Sequence, residues 1–274
     1  MSFKDILAIV VSGRDVGALN TAEALAAQQG GAATAVLLEV QPDPVSGFDV
    51  YVMSEVWAEA VKRAREGYAK EKAKLAARLN QSAQPMRLRS VEIPQALAGP
   101  RAAVEARYAD LAIMDGPDDA LRRTVFEAVL FGAGRPVLLA PAEWPGACGR
   151  NVVIGWNASR EAARAVADAE PFLDRAERIT IVTVDAKPSW SGHGEAPGAD
   201  IAAHLARRGL KVEVRNVDGM GRDDGSALLE ECAAIDADLL VVGGYGRPRL
   251  QETIFGGVTQ RVAAGAHLPV FLSH

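Results

Sequence analysis

A glycine-bearing loop near the end of the sequence is the segment best suited to chemistry. Residues 243–261 read GGYGRPRLQETIFGGVTQR and follow a short apolar run. Glycine lets the backbone approach a phosphate closely, and free N–H groups at the start of a helix attract anions. Arg247, Arg249 and Arg261 add positive charge to this loop. The loop is therefore a candidate phosphate site, although glycines needed only for turn geometry would give the same spacing.

Other chemical sites are poorly supported by the residue pattern. The sequence has neither a GxxxxGK[ST] loop nor a GxGxxG pattern, and its histidines and two cysteines show no metal-ligand spacing. Ser159 and Asp223 precede predicted helices, where N-capping explains them best, and Ser159 also lies at the predicted ligand edge. The histidine His267 is predicted to be a loop residue, and Cys232 a buried small residue.

The elements that position the loop alternate between strands and helices. Short, fully apolar runs are typical of buried parallel strands, and alanine-rich stretches with spread charges are typical of helices. The predicted strands include 6–11, 35–40, 111–114, 137–140, 152–156, 179–184, 211–217, 238–243 and 269–272. The predicted helices include 15–28, 54–80, 159–172, 197–208, 225–235 and 257–265. This order indicates βαβ units, and ligands of such sheets bind at the carboxyl ends of the strands.

The chain also repeats itself. Residues 109–116 parallel residues 237–244 at an offset of 128, and Pro136-Val137 parallels Pro269-Val270 at an offset of 133. The repeat is about half the chain, which indicates a duplicated domain. We predict domains at 1–143 and 150–274, joined by the Pro- and Gly-containing segment 141–150. The larger second offset makes the glycine loop five residues longer than its counterpart in the first half.

The glycine loop and its surroundings resemble a known protein family. The segment 237–262, ADLLVVGGYGRPRLQETIFGGVTQRV, together with the element order and the duplication, resembles the universal stress protein family. Nucleotide-binding members of that family carry G-x2-G-x9-G followed by Ser or Thr, and Gly243, Gly246 and Gly256 fit this spacing. The resemblance implies two tandem α/β domains, each a five-stranded mostly parallel sheet with helices on both faces, of the Rossmann-like adenine nucleotide alpha hydrolase-like type.

The resemblance also implies roles for individual residues of the second half. The position that contacts the nucleoside is Asn157, where the family has Asp, and the main chain that reads adenine is at Val184. The phosphate loop contributes Gly243, Gly246, Arg247 and Gly256, with two further positions, Gly257 and Thr259. Gly257 lacks the hydroxyl that the family has there, and Thr259 is the candidate substitute. The implied ligand is ATP, with Mg²⁺ as its accompanying ion.

The first half departs further from the family pattern. Val11 stands where the second half has Asn157, and Asp115 stands at the Gly243 position, where a carboxylate would repel a phosphate. Because the loop is also shorter, we predict a degenerate first domain without a nucleotide site.

Composition excludes several function classes. A net charge of -5 disfavours non-specific binding to nucleic acid or anionic membranes, since both require a clustered positive surface. The first residues do not resemble a signal peptide, and no apolar run approaches the roughly 20 residues of a membrane span. The sequence therefore predicts a cytoplasmic protein without a membrane partner.

Three functions remain, in order of preference. The first is a cytoplasmic stress-response binding and signalling module with an adenine nucleotide as partner, bound in the second domain only. The second is a related protein that has lost nucleotide binding and acts through protein contacts or another small ligand. Enzymatic ATP turnover ranks third, because no general base accompanies the loop. The family also implies intramolecular pairing of the domains through residues 137–139 and 270–272, and leaves a homodimer open.

Overall fold

Strands and helices alternate along the chain, as the apolar runs predict. The computed structural model describes residues 2–12, 14–44, 50–82, 84–142, 144–190, 192–244, 261–263 and 266–274, leaving aside the side chains of 50–54. The strands are β1 (Asp5–Val10), β2 (Ala32–Gln41), β3 (Arg87–Pro94), β4 (Leu111–Asp115), β5 (Val137–Ala140), β6 (Asn151–Gly155), β7 (Arg178–Val184), β8 (Val212–Val217), β9 (Leu239–Gly243) and β10 (Val270–Ser273). The helices are α1 (Val16–Gln29), α2 (Val50–Asn80), α3 (Ala98–Ala106), α4 (Ala120–Gly132), α5 (Arg160–Asp168), α6 (Glu170–Leu173), α7 (Ala199–Arg207) and α8 (Asp224–Ala234).

The strands form one continuous sheet made of two similar halves. Its order is β3-β2-β1-β4-β5-β10-β9-β6-β7-β8, so each half contributes five consecutive positions. All pairs within a half are parallel, as the predicted fold class requires. The halves meet where β5 and β10 pair antiparallel, with Val270 opposite Leu139 and Leu272 opposite Val137. This arrangement removes two strand edges that would otherwise be exposed.

Helices cover both faces of the sheet, as predicted. The apolar core of one face includes side chains of α1, α2, α5, α6 and α7. The core of the other face includes side chains of α3, α4 and α8, together with residues 262 and 263. Each core extends through both halves, so the fold buries the short apolar strands on both sides. Within the described ranges, no helix is both long and apolar enough to cross a membrane.

Aromatic side chains pack across the junction of the two halves. Phe3, ahead of β1, lies 5.3 Å from Phe172 of α6 and 6.4 Å from Phe271 of β10, measured between ring centroids. Phe172 and Phe271 meet edge to face at 5.8 Å. These contacts bury apolar area from both halves in one cluster and so hold their relative position.

Several elements differ from the sequence prediction, among them α3 and α4, which are not among the helices named there. The polar segment Arg87–Pro94 forms edge strand β3, which the apolar runs did not reveal because most of its side chains are not buried. The predicted helix over 159–172 is divided into α5 and α6, with Pro171 in the first turn of the second piece. Ser159 and Asp223 are N-caps as predicted, since each side chain accepts a backbone N–H in the first turn of its helix.

Candidate functional site

The carboxyl ends of three neighbouring strands of the second half form the candidate site. In the sheet order, β6 lies between β9 and β7, and Gly155 pairs with both Val242 and Val182. The residues that follow these strands therefore lie side by side at one edge. This edge brings together three of the predicted site residues, Asn157, Val184 and Gly243.

The turn that carries Asn157 is fixed by its own hydrogen bonds. The Asn157 side-chain Oδ1 accepts the backbone N–H of Ser159 at 3.2 Å, which forms a local side-chain turn. Ala158 has a positive φ of 57°. Ser159 then caps α5, since its Oγ accepts the N–H of Ala162 at 3.1 Å. The exposed Asn157 thus stands directly before a helix N-terminus at the sheet edge.

Gly243 lies against the first turn of α5. A Cβ at this position would lie 2.5 Å from the Ala162 amide nitrogen and 2.7 Å from the Glu161 carbonyl carbon. Because both atoms belong to the backbone, a larger residue would force the strand and helix apart. The requirement for glycine here is therefore one of space, and it leaves the strand end in contact with the helix N-terminus.

The start of the glycine loop is held by the chain terminus and the first half. The Gly244 N–H donates to the Ser273 carbonyl at 2.8 Å, and His274 Nδ1 donates to the Gly244 carbonyl at 2.9 Å. A Cβ on Gly244 would lie 2.9 Å from Leu130 Cδ2 of α4. The ring of His274 also packs edge to face on Phe131 of α4. The loop therefore begins on a surface to which both halves contribute.

Val184 lies at the end of β7, in a segment clamped to β8. Thr183 Oγ1 donates to Asn216 Oδ1 at 2.9 Å, and Asn216 Nδ2 donates to the Ala186 carbonyl at 3.0 Å. The carboxylate of Asp185 accepts the Gly219 N–H at 3.0 Å. These bonds on both sides of Val184 make its main chain a rigid position at the edge.

Two charged side chains of the second half, Glu161 and Arg261, are each bonded to another side chain. Glu161, buried in the first turn of α5, forms an ion pair with exposed Arg160. Burial acts to raise the pKa of the Glu161 carboxyl, but the hydrogen bond from Arg160, a backbone hydrogen bond and the charge of Arg160 outweigh it, so the pKa lies below its usual value. Arg261 donates through Nε to Ser226 Oγ at 2.9 Å, which places its side chain beside the N-terminus of α8.

The remaining predicted site residues lie outside the described residues. They are Gly246, Arg247, Gly256, Gly257 and Thr259. Among the residues that are described, no group of three or more His, Cys, Asp or Glu side chains could hold a metal ion.

The matching edge of the first half carries a buried ion network that the sequence did not predict. Asp15 accepts the N–H groups of Val11 and Ser12 at 2.6 and 2.8 Å. Arg122 of α4, with only 3% of its surface exposed, donates through Nε and Nη2 to the same Asp15 carboxylate at 3.0 and 2.6 Å. It also pairs with the carboxylates of Asp118 and Asp119 at 2.9 and 2.8 Å. The guanidinium therefore binds the turn at Val11 that corresponds to the Asn157 turn.

Asp115, at the counterpart of Gly243, is buried beside this network. Its Oδ1 accepts the Ala18 N–H at 2.6 Å near the start of α1. Burial is the main cause that raises the pKa of Asp115 to about 6, and the nearby Asp15 acts in the same direction. In the first half, the Asp115 carboxylate thus lies at the N-terminus of α1. In the second half, Gly243 has no side chain, and its backbone lies against the N-terminus of α5 instead.

Comparison with known proteins finds one family model and several solved structures that are similar to this chain. Residues 149–274 match the model of the universal stress protein family. A universal stress protein structure from Archaeoglobus fulgidus DSM 4304 superposes with a TM-score of 0.66 at 16% identity, covering 97% of this chain and 95% of that one. A putative universal stress protein from Pseudomonas aeruginosa UCBPP-PA14 gives 0.58 at 14% identity, covering 99% and 93%. The search of curated protein sequences gave no significant match.

A third solved structure covers only half of this chain. It is a universal stress protein in complex with cAMP, with a TM-score of 0.33 and 24% identity over 46% of this chain and 97% of that one. The two full-length superpositions show that the tandem fold is shared over nearly the whole chain. The family likeness in sequence is therefore shown for residues 149–274, and the first half shares the fold alone.

Proposed function

We propose that this chain binds an adenine nucleotide, ATP in the first instance, at the carboxyl edge of its second half, and that it acts as a binding and signalling module and not as an enzyme. The observation that carries the proposal is the close contact of Gly243 with the N-terminus of α5. A Cβ added to Gly243 would lie only 2.5 Å from the Ala162 nitrogen. This contact brings the strand end, the helix N-terminus and the start of the glycine loop to one edge, a combination that suits an anionic ligand.

The described residues fit the nucleoside part of such a ligand. An amide such as that of Asn157 can donate to and accept from a ribose or a base, and Val184 offers main-chain groups on a clamped strand end. The phosphates would be held by Gly243 together with Gly246, Arg247, Gly256, Gly257 and Thr259. Mg²⁺ would be held chiefly by the phosphates, since ATP-bound Mg²⁺ needs few protein ligands.

We further propose that only the second half binds the nucleotide. The first half holds a carboxylate, Asp115, at the position of Gly243, and the guanidinium of Arg122 is bonded to the turn that would face the ribose. A nucleotide at this edge would have to displace a buried ion pair, which costs several kcal/mol. The proposed division is a degenerate domain at 1–143 and a nucleotide-binding domain at 150–274, paired through β5 and β10. The cytoplasmic location that the sequence predicts stays a prediction.

A second candidate function is an interaction module without a nucleotide. The observation in its favour is the Asn157 turn, because Oδ1 already accepts the Ser159 N–H and is less available to a ligand. The absence of a hydroxyl at Gly257 weakens the phosphate end as well.

Titration calorimetry with ATP separates the two candidates. Gly256→Val should lower ATP affinity roughly tenfold or more, since blocking one or two charge-assisted N–H contacts costs about 1.5–3 kcal/mol each. The matched control is Gly67→Val, at an exposed helical position with no atom within 4 Å of an added Cβ. Circular dichroism reports folding of both variants. Equal ATP affinity in the parent and Gly256→Val, or no affinity in the parent at millimolar ATP, favours the interaction module.

A further inference from the structure

A cavity of about 310 Å³ lies in the first half, between α1 and α2 over the sheet. Its apolar floor combines Val10 of β1 and Leu37 of β2 with Leu19 of α1 and Leu75 of α2. Val16, the first residue of α1, also lines it and is 41% exposed. The four floor side chains are buried, so the exposed side chain of Val16 is the apolar surface that a ligand would cover at a gain in free energy. We call this space the α1–α2 cavity.

The rim of the α1–α2 cavity is positively charged. Arg14, Lys74 and Arg78 line it together with one carboxylate, Glu71, so its formal charge is positive in a chain whose net charge is -5. Within the described part of the chain, none of the three cations forms an ion pair with a carboxylate. Arg78 is oriented instead by a neutral partner, the Asn20 side-chain oxygen, at 2.5 Å. The rim therefore carries three cationic groups against one carboxylate, an excess of positive charge.

We propose that the α1–α2 cavity binds a compact organic anion with an apolar body and a single carboxylate or phosphate headgroup. The volume corresponds to roughly ten water molecules, at about 30 Å³ each, which suits a short acyl chain or one ring and not a nucleotide triphosphate. The apolar body would cover Val16 and the floor, and the headgroup would face Arg14 and Lys74. This site is in the first half and uses none of the residues of the proposed nucleotide site, so either site can fail without the other.

Titration calorimetry at low salt tests this site on the full chain, with octanoate and octyl phosphate as ligands. Acetate, which lacks the apolar body, and 1-octanol, which lacks the charge, are the ligand controls. We expect saturable binding of octanoate or octyl phosphate, and weaker binding of both controls. The ratio of the two affinities identifies the headgroup that the rim prefers. Absence of saturable binding of both anions at millimolar concentration, or equally tight binding of 1-octanol, would overturn the proposal.

Two variants locate the binding. The double variant Arg14→Glu/Lys74→Glu should weaken binding of the better anion roughly tenfold at low salt, since two attractions become repulsions. Its matched control is Lys62→Glu/Lys70→Glu, which makes the same charge change at exposed positions of α2 that do not line the cavity. Val16→Trp should obstruct the cavity and weaken binding without lowering the melting temperature. Equal losses in the charge variant and its control, unchanged binding in Val16→Trp, or displacement of the anion by AMP would contradict the assignment.

Discussion

Replacing Arg122 with alanine tests the view that a buried ion network stabilises the first half at the edge where the second half is proposed to bind a nucleotide. The substitution removes five side-chain hydrogen bonds, two of them to Asp15 and one each to Ser12, Asp118 and Asp119. Asp15 is only 1% exposed, so its carboxylate would remain buried without a countercharge. It would still accept the N–H groups of Val11 and Ser12.

The expected cost follows from how deeply each partner is buried. Removing one member of a buried ion pair costs about 3–5 kcal/mol, because the other charge stays desolvated. The pairs with Asp118 and Asp119 add little, since these carboxylates are 68% and 46% exposed and exposed pairs contribute roughly 0–1 kcal/mol. The two backbone N–H bonds that Asp15 retains reduce the loss. We therefore expect Arg122→Ala to lower the free energy of unfolding by about 3 kcal/mol.

Urea unfolding followed by far-ultraviolet circular dichroism measures this cost. Arg123→Ala is the matched control, because the neighbouring arginine is exposed and its loss should change stability by less than about 0.5 kcal/mol. The double variant Asp15→Asn/Arg122→Ala should regain at least about 1 kcal/mol over Arg122→Ala, since the buried charge is gone. A cost of Arg122→Ala below about 1 kcal/mol, or a double variant no more stable than the single one, would refute the reasoning.

Gly243→Ala should lower the free energy of unfolding by about 1–3 kcal/mol, because its Cβ would lie 2.5 Å from the Ala162 nitrogen. Gly67→Ala, in open space on a helix, should instead raise the free energy of unfolding by about 0.5–1 kcal/mol. If urea unfolding showed both variants stabilised or both destabilised, this pair of predictions would be contradicted. Burial raises the pKa of Asp115 to about 6 from 3.8, so the native state holds the proton more tightly and loses stability as pH rises from about 4 to 7. Asp115→Asn should abolish about 1–2 kcal/mol of that loss of stability. This is less than the full pKa shift would give, because the carboxyl keeps some solvent contact. Parallel pH–stability profiles of the parent and the variant would be evidence against this prediction.

The fold could be predicted from the sequence because most of its strands are buried on both faces. A run such as residues 137–140 is fully apolar and short, which is consistent with a strand buried on both faces. Strand β3 has no such signal, since it lies at the sheet edge and alternates charged with partly buried side chains. The break between α5 and α6 was missed because the helical periodicity continues past Pro171.

The candidate site could be predicted from the sequence only where its residues directly follow recognisable strands. The turn at Asn157 and the strand end at Gly243 each follow an apolar run, so their common edge could be predicted from the fold. The pair of Asp15 and Arg122 could not, because 107 residues separate them and no local pattern indicates which buried carboxylate an arginine meets. The burial of Asp115, which raises its pKa to about 6, and its hydrogen bond from the Ala18 N–H likewise depend on tertiary contacts that the sequence does not reveal.

The stoichiometry of ATP binding is the most direct test of the central claim, that one adenine nucleotide binds in the second half alone. Equilibrium dialysis of the purified chain against labelled ATP should give one nucleotide per chain, and the same value for Arg122→Ala, which opens the network of the first half without supplying a phosphate loop. Two nucleotides per chain in the parent would contradict the assignment to the second half. No bound nucleotide at millimolar ATP would contradict nucleotide binding altogether.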